Sequence, residues 1–154
     1  MIYIDLLVIE DLFMNYLVIT TTGILLNRIT KFKKVFLAAV IGTITLVFLI
    51  IDLKKIWLLI VLFIFAITMS IVAFNYKSFI YTIKNTIYMY LISIFIAGAL
   101  YLINTTIIPH VNNYLLNGII LTIFSPIITM IYIKSIKEIK INEMPNFNIL
   151  LKIL

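Results

Sequence analysis

The chain has 154 residues, of which 64% are hydrophobic and only 12% charged, and its mean hydropathy of +1.23 lies far above that of a water-soluble domain. Its 12 basic and 6 acidic side chains are too few to clothe a soluble core of this size, so hydrocarbon is the solvent the composition implies. The net charge of +6 sits in short clusters between apolar runs, which argues against nucleic acid as a partner, and the lack of cysteine excludes disulfide and thiolate-metal frameworks.

Five apolar stretches approach the roughly 20 residues that a helix needs to cross a bilayer. They cover residues 6–26, 35–51, 56–74, 87–108 and 114–133. Inside lipid each backbone amide must be paired within its own segment, so all five are read as helices. A β-barrel would show shorter alternating segments. The expected fold is an all-α, polytopic transmembrane helical bundle of about five spans in a cell membrane. Residues 1–133 form the bundle, and residues 134–154 form a short basic cytoplasmic tail.

The first span carries Glu10, Asp11 and Asn15, with Asp5 at its very start. Acidic groups in a span are costly unless they face protein or water. Asp11 and Asn15 stand one turn apart, with Thr22 two turns further on the same face. That face is expected to pack into the bundle through interhelical hydrogen bonds, with an ion or proton site as the alternative. No basic residue precedes this stretch and a basic cluster, Arg28 to Lys34, follows it, so it reads as a retained anchor rather than a cleaved signal peptide.

Small residues recur at four-residue spacing, Ala38 with Gly42 in the second stretch and Ser93 with Ala97 and Gly98 in the fourth. The expectation for both is close helix packing. Residues 75–90 interleave Tyr76, Phe79, Tyr81 and Tyr88 with Lys77 and Lys84, the pattern of a helix lying at the headgroup level. His110, the single histidine, has no companion ligand in its loop and is not read as a metal site. Pro126 after Ser125 is a candidate kink in the fifth stretch.

The lysine and arginine positions orient the chain. With the N-terminus outside, Arg28, Lys31, Lys33, Lys34, Lys77, Lys84, Lys134, Lys137, Lys140 and Lys152 fall on the cytoplasmic side, and only Lys54 and Lys55 outside. An N-out, C-in topology follows. No Gly-x-Ser-x-Gly elbow, His-Glu-x-x-His helix or Asp-Ser/Thr-Gly loop occurs, because Asp5, Asp11 and Asp52 are each followed by leucine. Glu10 and Asp11 point about 100° apart and do not form a dyad sharing a proton. No catalytic residue, cofactor site or metal site is read from the sequence.

The order of residues carries a resemblance. The opening Tyr3-Ile4-Asp5, followed by Glu10-Asp11-Leu12-Phe13-Met14-Asn15-Tyr16-Leu17, resembles the start of the sporulation sigma-E factor-processing peptidase family, stage II sporulation protein GA. Asp5 and Asn15 match, and Asp11 stands where the family carries Asn. The likeness continues through the basic turn, Ala39 to Gly42, Met69 to Phe74, Lys77 and Phe79, and Tyr88 to Ala99. It covers residues 1 to about 141. The resemblance implies a five-span membrane half, N-out, attached to a cytoplasmic aspartic peptidase half that removes the pro-sequence from a sigma factor. Its implied partners are the lipid bilayer, that pro-sigma factor, a secreted forespore signal protein and a second copy of the chain. The family's catalytic aspartate belongs to an Asp-Ser/Thr-Gly motif in the peptidase half, so the expectation here is a membrane-anchoring and signal-sensing half without that half. Asp5, Glu10, Asp11 and Asn15 are the candidate signal-coupling residues. Two other readings remain at this point: a small transporter or channel subunit with an acidic first span, and the remnant of a split gene.

Overall fold

The computed structural model describes residues 4–28, 30–50, 54–107 and 117–135. Among them the chain is all helical: α1 is Ile4–Leu25, α2 Phe32–Thr43, α3 Thr45–Ile50, α4 Lys55–Phe74 and α5 Phe79–Leu102, which passes into a wider π-helical turn at Ile103–Ile107. A last helix, α6, spans Asn117–Ser135 and runs unbroken through Pro126. Because α2 and α3 are separated only by a turn at Ile44, the described residues form five helical rods. Three of them, Lys55–Phe74, Phe79–Thr106 and Asn117–Ser135, are long and apolar enough to cross a membrane. Asp52, Pro109, His110, Asn112, Asn113 and the tail beyond Ser135 lie outside the described residues.

Local chemistry sets the helix ends. Asn27 adopts φ 50°, the left-handed conformation that asparagine tolerates better than other side chains. The Arg28 amide then donates to Gly23 O at 2.8 Å and the Asn27 amide to Ile24 O at 3.2 Å. These are the two bonds of a Schellman stop, and they satisfy carbonyls that α1 would otherwise leave free. α4 ends at Asn75, which also takes a positive φ, 58°, but with ψ 149°. Ser78 caps α5, its hydroxyl accepting the Tyr81 amide at 3.2 Å. The break at Ile44 lies between two threonines whose hydroxyls bond back to the helix, Thr43 to Ala39 O at 3.1 Å and Thr45 to Gly42 O at 2.7 Å. Such back-bonding competes with the backbone ladder and bends helices.

Burial runs opposite to that of a soluble protein. Ile80, Phe95 and Met130 are 79%, 78% and 73% exposed, whereas Thr20, Thr22, Ser70, Asn85 and Thr86 are buried. Apolar surface of this extent facing outwards, around hydroxyl and amide groups facing inwards, is the arrangement that lipid stabilises and water does not. Most buried hydroxyls bond to carbonyls one turn back, as Thr22 does to Val18 O at 2.7 Å and Thr86 to Thr82 O at 3.0 Å.

α1 occupies the middle. Leu17, Val18, Ile19 and Thr20 are successive and all buried, so every face of this part of α1 is covered. α2, α4 and α5 pack around it, and α6 joins through Tyr16, whose hydroxyl lies 2.7 Å from Thr129 Oγ1. The Thr129 hydroxyl proton is committed to Ser125 O at 2.7 Å, so Tyr16 is the donor. Tight packing is concentrated at the end where the α1–α2 and α4–α5 connections meet. There Tyr132 of α6 accepts the Thr30 amide at 3.2 Å and donates to Thr30 O at 3.1 Å. Thr30 donates its hydroxyl to Ala73 O, and Lys34 donates to Asn75 Oδ1. The Arg28 guanidinium stacks 3.9 Å from the Tyr81 ring centroid, with Lys77 Nζ at 5.5 Å.

Two local expectations change. Residues 75–90 are not a separate interfacial helix: only residues 75–78 form the connection, and from Phe79 the chain is already in α5. Thr82, Asn85 and Thr86 put their polar groups into the bundle, which the aromatic and lysine pattern of that segment does not reveal. Of the two small-residue sets, Ala38 and Gly42 are buried against neighbours; in the other, Ser93 is half-buried, whereas Ala97 and Gly98 are exposed and a Cβ on Gly98 would meet nothing within 4 Å. Among the described residues, Gly98 makes no close helix contact.

Candidate functional site

At the opposite, acidic end the described residues surround a cavity of about 420 Å³, which lies between α1, α3, α5 and α6. Leu7, Met14, Leu46, Leu100 and Leu121 make its apolar wall, and Glu10, Asp11, Tyr101, Asn104 and Asn117 supply its polar groups. Adjacent positions on a helix diverge by about 100°, yet both Glu10 and Asp11 reach this cavity because it wraps around α1 between α3 on one side and α6 on the other.

Each polar group is held by a different element. Asn15 Nδ2 donates to Asp11 Oδ2 at 2.8 Å, and Thr43 at the end of α2 is also within hydrogen-bonding reach of that carboxylate. Glu10 faces Asn117 at the start of α6. Asn117 Oδ1 in turn accepts Asn104 Nδ2 at 2.8 Å. Asn104 lies in the π-helical turn, whose extra residue per turn re-aims side chains at the end of α5. Its own Oδ1 is buried without a protein partner.

A second, smaller crevice of about 150 Å³ lies deeper, lined by Asn15, Gly42, Met69, Tyr90 and Ser93 among others. Asn15 therefore forms part of the wall between the two spaces: it binds Asp11 on the cavity side and lines the crevice on the other. Gly42 makes this possible, since a Cβ there would lie 2.8 Å from both Cγ and Nδ2 of Asn15.

Of the four candidate residues, Glu10, Asp11 and Asn15 come together around the cavity and its wall. Asp5 is exposed one turn nearer the N-terminus and does not line it. Asn104, Asn117, Thr43 and Tyr101 are members that sequence reading missed. Asn104 and Asn117 flank the polar loop between the last two apolar stretches, and their places as isolated amides at the same end of two spans are the signal that identifies them. Two carboxylates opposed by amides can accept hydrogen bonds from a cationic or amide-bearing group. They offer no nucleophile with an adjacent base, and no group of three metal-ligating side chains exists among the described residues.

The family model for sporulation factor SpoIIGA, a peptidase family, matches residues 1–153. The chain belongs to the SpoIIGA family. The match extends over all the helices described above, so the resemblance carried by the first span and the aromatic and small-residue fourth span holds for the chain as a whole. No curated protein and no solved structure matches the chain.

Proposed function

We propose that this chain is the membrane-anchoring and signal-receiving part of a SpoIIGA-type peptidase, which processes the precursor of a sporulation sigma factor. The family match over residues 1–153 carries the reading. The lipid-facing apolar surface and the three long apolar helices support its membrane location. In this reading all five rods cross the cell membrane with the N-terminus outside, residues 1–133 make the bundle and residues from 134 onward enter the cytoplasm.

The two ends of the bundle then have different tasks. The outer end presents the cavity of Glu10, Asp11, Asn104 and Asn117, which suits reception of a secreted forespore signal protein. The inner end is the tightly bonded cluster of Arg28, Thr30, Lys34, Tyr81 and Tyr132, next to the last turn of α6. α1 and α6 touch both ends. A change in how Glu10 meets Asn117 would be felt along the α1–α6 seam through Tyr16–Thr129 and Tyr132–Thr30.

The test is sigma-factor processing in sporulating cells expressing the peptidase that carries this membrane part. Asp11→Ala and Asn15→Ala are expected to leave the protein level unchanged and to slow appearance of the mature sigma factor on immunoblots. Normal processing in both variants would reject a coupling role for the cavity.

A further inference from the structure

A third hollow, of about 480 Å³, opens on the outer surface of the bundle between α1, α2 and α6. Leu12, Phe13, Phe32, Phe36, Pro126 and Met130 make it almost wholly apolar. Along α6 it extends from Met130 back to Thr122, about 12 Å at the helical rise. It begins at the basic end of the molecule and runs toward the middle of the bilayer.

Three exposed lysines adjoin residues that line this end of the hollow. Lys31 immediately precedes Phe32, Lys33 immediately follows it, and Lys134 stands one turn beyond Met130 on the same face of α6. Lys34, by contrast, is turned away and bonded to Asn75. An apolar groove that ends in lysines at the headgroup level matches the two halves of one ligand class: a hydrocarbon chain and an anionic head.

The geometry points to a binding site for an anionic phospholipid, with one acyl chain lying in the Phe13–Phe36–Met130 groove and its phosphate between Lys31, Lys33 and Lys134. The site joins α2 to α6, close to where Thr30, just before α2, bonds Tyr132 of α6. An occupied groove therefore ties the last helix to the bundle. This inference rests on the membrane reading but not on which side the basic end faces.

The experiment uses the single native Trp57 and a second probe. Trp57 is exposed on α4, which does not line the groove. The full chain carrying Met130→Trp in a Trp57→Phe background is reconstituted into phosphatidylcholine vesicles containing brominated phosphatidylglycerol or, in parallel, brominated phosphatidylcholine at equal mole fraction. Bromine quenches a neighbouring indole, so the ratio of the two quenching curves reports relative affinity at that place. At residue 130 phosphatidylglycerol is expected to win by about threefold or more, and the preference should disappear in Lys31→Ala/Lys33→Ala/Lys134→Ala. At Trp57 in the unaltered chain, beside Lys54 and Lys55 but away from the groove, the preference should be smaller than at residue 130. Equal quenching by both lipids at residue 130, or a preference that survives loss of the three lysines, would overturn the site. Quenching by neither lipid at either position would instead reject the membrane reading itself.

Discussion

The side-chain amide of Asn15 occupies the space that a side chain at residue 42 would need: a Cβ on Gly42 would lie 2.8 Å from Asn15 Cγ and 2.7 Å from Met69 Cε. One missing methyl group on α2 thus lets Asn15 hold Asp11 on α1. Gly42→Ala is expected to displace Asn15, break its bond to Asp11 and destabilise the bundle by about 1–3 kcal/mol, the usual cost of overpacking. Gly98→Ala, where the added carbon meets nothing within 4 Å, should be neutral or slightly stabilising. Thermal unfolding of the two variants in detergent, followed by circular dichroism, compares them directly.

Tyr132 bonds both backbone groups of Thr30, at 3.2 and 3.1 Å. Tyr132→Phe keeps the ring packed and removes only the hydroxyl. A loss of about 1–2 kcal/mol is expected, as for interhelical hydrogen bonds in membrane proteins. The loosening should be local, so a cysteine at Arg28 should react faster with a water-soluble maleimide in the variant than in the parent.

Asn85 is fully buried in α5, and neither Nδ2 nor Oδ1 has a protein partner. A buried polar group left without a bond costs about 1–3 kcal/mol, whereas leucine of similar size would not incur that cost. Asn85→Leu is therefore expected to match or exceed the parent in melting temperature. A clear drop in that temperature would show that the amide is engaged after all.

Ser78 accepts the Tyr81 amide and starts α5. Ser78→Ala removes the cap and should cost about 1 kcal/mol, while Ser78→Asp, which restores an acceptor, should recover most of it. Equilibrium unfolding of the three proteins gives the ranking.

The chain contains no cysteine, so single cysteines report topology without background. In intact cells an impermeant maleimide is expected to label Lys54→Cys and to leave Tyr76→Cys unlabelled until the membrane is opened. The reverse pattern would overturn the N-out arrangement.

Helix content and membrane location were legible because they depend on quantities that add along the chain. Five apolar runs near the length of a bilayer crossing leave few alternatives once backbone groups must pair internally. The first and third rods follow their apolar stretches within two residues, since charges and asparagines mark both ends. The start of α5 was not legible: residues 79–86 look amphiphilic, and only the neighbouring helices show that Thr82, Asn85 and Thr86 belong to the interior. The Asp11–Asn15 pair was readable from four-residue spacing. Its meeting with Gly42, Asn104 and Asn117 was not, because no local period relates residues 27 to 106 positions apart.

By itself, then, the amino-acid order determined the solvent, the helices and the family, all of which rest on composition, run length and residue order. The tertiary structure alone decided that Arg28, Thr30, Lys34 and Tyr132 are held by bonds and stacking at one end of the bundle and a cavity lies at the other, that Glu10 and Asp11 share that cavity while Asp5 does not line it, and that Gly42 packs closely while Gly98 does not. Those outcomes turn on which helix faces meet, and in lipid, where apolar side chains gain little by turning inwards, that choice is made by close packing and a few hydrogen bonds between residues far apart in the chain.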